Sequence, residues 1–257
     1  MNKKAAIEAF REYADLYDTD DIKINLKIAH TYRVADIASQ IGTSVDADPD
    51  FSWFLGLLHD IGRFEQLTQY GIFKDADSVD HAELGADILF RDRLIESFPN
   101  LSDTVGLENK RLIAETAIRL HNKLSLPSGL DEKTLLYCKI LRDADKADIF
   151  RVLTEPPYDE RNRMIVENSA DMGPARIDVM NCVHEHRCVP RRSDFTPFEA
   201  LISQCCMGFE LEFPESVAIV REQRYLAQLM NLDVSNELMA EQLKTLRTEM
   251  ERAWEDK

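Results

Sequence analysis

Four of the six histidines fall in the first half of the chain, and each sits in a setting suited to metal chemistry. His59-Asp60 closes an apolar run, Ser52-Trp53-Phe54-Leu55-Gly56-Leu57-Leu58. An imidazole beside a carboxylate in such surroundings is costly to desolvate unless something compensates. A divalent cation does so, because it takes a neutral imidazole nitrogen and an ionised carboxylate together. His30 lies within Lys27-Ile28-Ala29-His30-Thr31-Tyr32-Arg33, His81 follows Asp80, and His121 lies within Arg119-Leu120-His121-Asn122-Lys123. A run of carboxylates, Asp143, Asp145 and Asp148, follows further on.

The segments that must position these groups read as helices. Ala6, Phe10, Tyr13 and Tyr17, and then Ile24, Ile28, Thr31, Ala35 and Ala38, recur at steps of three and four. Residues 52–60 read as a buried helix closed by Gly62. Residues 80–97, 107–123 and 131–152 follow as three more, with Pro127-Ser128-Gly129 between the last two and Asp131 as an N-cap. His30, His59-Asp60, His81, His121 and the aspartate run thus come from separate helices, which is how helical bundles build metal sites in their cores. Beyond Pro156-Pro157 the pattern stays helical, at 175–187, 197–208, 214–230 and 234–254, without a comparable histidine constellation. No linker is evident, so the expectation is one all-α domain over 1–257, with the metal-site core at about 22–152 and a C-terminal helical extension over about 160–257. The segment Glu237 to Trp254 reads as a surface helix, with a homodimer contact as a possible use.

Composition narrows the function classes. The 257 residues carry 47 acidic and 31 basic side chains, a net charge of −16, which offers no broad attraction to a nucleic-acid polymer or an anionic membrane. An anionic substrate must therefore be held by local cations. Five cysteines without a framework spacing suit reduced thiols, and the first residues show no apolar signal region, so a cytoplasmic location is expected. No run approaches the length needed to span a bilayer.

The order His…His-Asp…His…His…Asp resembles the HD superfamily of metal-dependent phosphohydrolases over about residues 22–152. The resemblance extends through His59-Asp60-Ile61-Gly62-Arg63-Phe64-Glu65-Gln66, Tyr70-Gly71-Ile72-Phe73, Asp75 and Ser78-Val79-Asp80-His81-Ala82-Glu83-Leu84-Gly85, which look like an uncharacterised bacterial branch of that superfamily. It implies the all-α HD bundle and a metal held by His30, His59, Asp60 and a final aspartate. In the family motif that aspartate follows an alanine, matching Ala144-Asp145. Helical phase agrees, since Asp145 shares a partly apolar face with Leu141, Cys138, Asp148 and Val152. Asp148 is then placed to orient a ligand or a water. His81 and His121 resemble the branches with two ions, in which Asp60 bridges; the alternative is one ion, with these histidines serving as acid and phosphate contacts. The expected cofactor is one or two divalent ions of Mn, Fe, Ni, Co, Mg or Zn.

Helical phase also supplies cations for a small phosphorylated substrate. Arg63 lies one turn after His59-Asp60, Lys27 and Arg33 flank His30 by one turn, Lys123 follows His121, and Lys146 follows Asp145. Arg33 and Arg63 lead, because a planar guanidinium suits phosphate oxygens. Tyr70, with Gln66, Phe73 and Asp75, is expected to line the pocket. The catalytic expectation rests on His59, Asp60, His81, His121 and Arg63. Cys182-Val183-His184-Glu185-His186-Arg187-Cys188 suggests zinc, but its step of two shares a face only on a strand. No phosphate loop and no nucleophile elbow occur. The Gly-Tyr-Pro signature of cyclic-dinucleotide HD enzymes is also absent. The leading function is hydrolysis of a nucleotide or other small phosphoester. A mixed-valent di-iron oxygenase and a non-enzymatic nucleotide-binding signalling module are the alternatives.

Overall fold

The computed structural model describes residues 2–98, 107–190, 192–255 and 257, and among them the chain is all α, with no strand. It divides into two compact units, Met1–Asp145 and Lys146–Lys257, and the division falls inside one helix.

The first unit is built from α1 (Lys3–Ala14), α2 (Ile22–Ser44), α3 (Pro49–Leu58), α4 (Ile61–Tyr70), α5 (His81–Ala86), α6 (Leu107–Leu120) and the greater part of α7 (Glu132–Val152). Short polar side chains set the starts. Asp21 caps α2, Asp48 caps α3 ahead of Pro49, and Asp80 caps α5 through the amides of Ala82 and Glu83. Asp131 caps α7 through the amides of Lys133 and Thr134.

α3 is the central element, for every residue from Phe51 to Leu58 is buried. It lies close against α2, because Gly56 has no side chain. A Cβ there would stand 2.6 Å from the Ala35 Cα. α7 meets α3 through the edge-on rings of Phe51 and Tyr137, 4.8 Å apart, and the Tyr137 hydroxyl accepts the Asp48 amide at 3.1 Å.

Three expectations need correction. Gly62 does not close the 52–60 helix: α3 stops at Leu58, and Gly62 lies in the first turn of α4, where it lets the α5 backbone approach. The helix expected over 80–97 is α5, then a π turn at Asp87–Arg91 and a 3-10 turn at Leu94–Ser97, separated where Arg93 turns left-handed (φ 68°). The helix expected over 214–230 is two helices, broken by left-handed Arg224 (φ 63°).

The second unit contains the end of α7, then α8 (Asp159–Glu167), α9 (Ile177–His184), α10 (Pro197–Cys205), α11 (Pro214–Gln223), α12 (Tyr225–Met230) and α13 (Glu237–Glu255). Thr196 and Glu199 form a capping box at the start of α10. α13 is amphipathic rather than wholly superficial. Met239, Leu243, Leu246, Met250 and Trp254 are buried, and the Trp254 indole donates to the Gly208 carbonyl at 2.9 Å. No helix among the described residues is long and apolar enough to cross a membrane.

Candidate metal centre

The first unit gathers His30, His59, Asp60, His81, His121 and Asp145 into one cluster. His30 comes from the middle of α2, His59 directly follows α3, Asp60 precedes α4, His81 opens α5, His121 directly follows α6, and Asp145 lies on α7. The four imidazoles and Asp60 are buried, whereas the Asp145 side chain keeps 23% exposure and so marks the more open side.

Asp60 lies at the middle, and its two oxygens serve different histidine pairs. Oδ2 stands 3.6 Å from His30 Nε2 and 3.4 Å from His59 Nε2. Oδ1 stands 3.4 Å from His81 Nε2 and 3.8 Å from His121 Nε2. Asp145 Oδ1 completes the first set, 3.1 Å from His30 Nε2 and 3.6 Å from His59 Nε2. Within each of the trios His30–His59–Asp60, Asp60–His81–His121 and His59–His121–Asp145, the ligand atoms lie within 4.8 Å of one another.

The local hydrogen bonds fix which imidazole nitrogens are bare. His59 Nδ1 lies 2.7 Å from the Gly56 carbonyl, and His121 Nδ1 lies 2.7 Å from the Ile118 carbonyl. A carbonyl only accepts, so both Nδ1 atoms carry the proton and both Nε2 atoms face the cluster. His81 Nδ1 lies 2.8 Å from Asp75, whose carboxyl is held well below its usual range; burial alone would raise it, but the His81 hydrogen bond and the Arg63 charge prevail. His81 Nδ1 is therefore also the donor. Orienting each ligand ring through its second nitrogen is the habitual arrangement of metal-binding histidines.

Two consequences show that these residues fit a metal. His81 Nε2 and His121 Nε2 face each other at 3.0 Å. Burial, with Arg63 acting on His81 and with His81 and His59 acting on His121, pushes both pKa values down, His121 to about 3. Two bare lone pairs therefore point at one another, and an electron-pair acceptor between them resolves the conflict. His59 Nε2 is buried and has no hydrogen-bond partner. Burial alone would lower the His59 pKa, but the Asp60 and Asp145 carboxylates push it up to about 10. That field draws a positive charge to Nε2, and a proton and a metal ion compete for it.

This competition has a measurable result. The His59 pKa of about 10 in the folded protein exceeds the ordinary imidazole value of 6.5, so the stabilising charge pairing is complete below 6.5 and fades as pH rises through 10. At pH 7.5 metal binding must therefore displace the His59 proton, whereas His81 and His121 are already neutral. Titration calorimetry with Mn²⁺ in buffers of different ionisation enthalpy should show release of about one proton from this residue. Enthalpies independent of the buffer would contradict it.

The cations expected to contact substrate have defined partners. The Lys27 ammonium is buried and donates to Asp60 Oδ2 at 2.7 Å, so it neutralises a ligand carboxylate. Arg63 lies 3.7 Å from Asp60 Oδ1, but its Nη1 is held by Gln66, by the Phe73 carbonyl and by Asp75 at 2.9 Å. Lys27 and Arg63 thus flank the two oxygens of Asp60, and both lie against the Phe73 ring at 5.8 and 5.7 Å. Arg33 is half-buried one turn beyond His30. Lys123 pairs with Asp80 and Glu83, Lys146 pairs with Glu210 at 3.0 Å, and Tyr70 is exposed at the end of α4. Asp80, the partner of Lys123, itself lies within 4.8 Å of His81 and Asp75. Asp148 is fully buried one turn beyond Asp145.

Sequence reading underrated three residues. Asp75, expected only to line the pocket, is the carboxylate that holds His81, and Asn122 in turn donates to both Asp75 and Asp80. Arg142 donates to the Leu120 and Lys123 carbonyls and so fixes the turn that presents His121. Asp75 lies outside any periodic segment, so helical phase carried no signal for it, and Asn122 falls at the very end of the expected 107–123 helix, beyond the last residue of α6. In the second unit, the Cys182–Cys188 segment divides its polar groups: His184 and His186 meet Glu249, at 3.6 and 2.9 Å, while Cys182 bonds the Asp178 carbonyl.

Residues 28–149 match the family model of the HD domain, a span that includes every member of the cluster. No curated protein and no solved structure matches the chain significantly.

Proposed function

We propose that this chain, whose residues 28–149 match the HD domain, is a metal-dependent phosphohydrolase that hydrolyses a nucleotide or another small phosphoester with the help of two divalent ions. The observation that carries this reading is the divided placement of the Asp60 carboxylate, one oxygen turned to His30 and His59 and the other to His81 and His121. His30, His59, Asp60 and Asp145 would hold one ion, and Asp60, His81 and His121 the other. Bound there, the ions supply Lewis acidity, which polarises a phosphoryl oxygen and makes water a better nucleophile.

The chain's own residues do the rest. Gly56, Ile118 and Asp75 hold three imidazoles with Nε2 inward. The low pKa values of His81 and His121 suit ligands better than proton donors, which favours the two-ion arrangement over one ion with two acid histidines. Two dications with Lys27 and Arg63, set against the carboxylates of Asp60, Asp75 and Asp145, leave a local excess of positive charge. A phosphoryl group offsets that excess, in a chain whose overall charge is −16. The partly exposed Asp145 side marks the approach for such a group.

The test is a panel of nucleoside mono-, di- and triphosphates and small phosphomonoesters, assayed with Mn²⁺, Co²⁺, Ni²⁺, Mg²⁺, Zn²⁺ and Fe²⁺ after chelation. Metal-restored release of phosphate or pyrophosphate is expected. The same donor set also fits two irons, so iron content with O₂ uptake and no phosphate release would move the reading to a mixed-valent di-iron oxygenase. Tight nucleotide binding without turnover would move it to a signalling module. A cytoplasmic location and a homodimer remain parts of the proposal.

A further inference from the structure

The residue that precedes α4 is an aspartate, which ordinarily caps a helix with its own side chain. Asp60 does not: its carboxylate makes no capping bond and is turned instead to the histidines and Lys27. The turn that carries His59 and Asp60 must therefore be fixed from outside. One support is the close backbone approach of α5 at Gly62. The other comes from α1, which lies before the segment matched by the HD family model.

The Tyr13 hydroxyl reaches the carbonyl of Ile61, the residue next to Asp60, at 3.1 Å in a buried contact. A carbonyl only accepts, so Tyr13 donates. Its proton is secure, because burial and then Tyr17 raise its pKa far above the ordinary phenol range. The ring is clamped as well. Tyr13 packs edge-on against Phe64 at 5.8 Å and Tyr17 at 5.3 Å, and Phe10 packs edge-on against Phe64 at 5.9 Å. Tyr17 lies 2.8 Å from the Tyr13 hydroxyl and donates to Glu65 one turn further along α4. The aromatic face of α1 thus ends in one donor aimed at the peptide that follows the ligand carboxylate.

We propose that Tyr13 is a positioning residue for Asp60, so that α1 forms part of the working metal centre rather than an appended packing element. The inference rests on the reading of Asp60 as a bridging ligand. It predicts an effect on metal affinity that stability alone does not explain.

Tyr13→Phe keeps the ring and removes only the donor. Mn²⁺ affinity is measured by competition with a fluorescent chelator on folded, metal-stripped protein, beside the thermal midpoint of the same sample. Orienting partners of metal ligands typically change affinity by about 10–100-fold. Tyr13 acts one bond-network step further out, so a loss of about 3–10-fold is expected. A Tyr13→Phe variant with wild-type affinity and a lowered midpoint would overturn the proposal, because it would make the contact purely structural. Amide hydrogen exchange of the wild-type protein gives a second reading that needs no variant. Mn²⁺ should slow exchange in α1 as well as at residues 59–63, and protection confined to 59–63 would equally overturn it. A wild-type protein that fails to bind Mn²⁺ would instead contradict the metal-centre reading itself.

Discussion

Replacing His59 and Asp60 together by alanine should remove both ions of the proposed centre and lower the proposed hydrolytic activity by at least about a thousandfold, since metal stabilisation of the transition state is worth several kcal/mol. Among the described residues Asp60 turns one oxygen to each histidine pair, so its loss touches both halves of the cluster. The change also strands the buried Lys27 ammonium, which has Asp60 as its 2.7 Å partner. Breaking a buried ion pair from one side costs about 3–5 kcal/mol. The variant should therefore unfold at lower urea concentration while its far-UV helicity at 25 °C stays near wild type, because the apolar contacts of α2 and α3 are untouched. Adding Lys27→Met to the double variant should recover part of the lost stability without recovering metal. Elemental analysis and a urea titration check both halves. A double variant that keeps its metal would count against the site.

Gly62→Ala is the second large effect, and it acts through the backbone. A Cβ at position 62 would lie 2.2 Å from the His81 carbonyl oxygen and 2.5 Å from the Gly85 amide nitrogen. Neither neighbour is a flexible side chain, so α5 must move away, and His81 opens α5. Overpacking of this kind typically costs about 1–3 kcal/mol, which for a chain of this size lowers the thermal midpoint by about 3–10 °C. More tellingly, the His81–His121 ion should be lost while the His30–His59 ion is kept. Stoichiometry should fall by one ion per chain. A Gly62→Ala protein with its full metal complement and a wild-type midpoint would show that the α4–α5 approach does not position the centre.

Comparison of these positions shows what a sequence discloses and what it withholds. The candidate ligands were legible because metal chemistry restricts residue types, and because each lies in or beside a segment with a clear helical period. Helical phase favoured Asp145 over Asp143 without excluding the latter, and in the structure Asp145 Oδ1 lies 3.1 Å from His30 Nε2. The all-α class followed from the same periodicity. Helix interruptions were not legible at Arg93 and Arg224, because both left-handed positions carry arginine rather than the glycine or asparagine that signals such a turn. Gly62 was visible as a glycine but was read as a helix stop. Its actual use, admitting another backbone, is a tertiary fact with no local signature. The roles of the surrounding cations were the least legible. Helical phase places Lys27 and Arg63 near the ligands, but only the fold shows Lys27 committed to Asp60 and Arg63 tied to Asp75 and the Phe73 carbonyl. Lys146 adjoins Asp145 in sequence and Lys123 lies two residues beyond His121, yet their ammonium groups are paired with Glu210 and Asp80. Adjacent residues on a helix point about 100° apart, so sequence neighbours are poor guides to a shared target.

The most direct measurement is metal content per chain, by elemental analysis of protein purified without oxygen and without an affinity-tag metal, then reloaded with Mn²⁺ and freed of excess. Two ions per chain are predicted, falling to none in the His59→Ala/Asp60→Ala variant. A wild-type chain that retains no ion would contradict the assignment of this cluster as a metal centre.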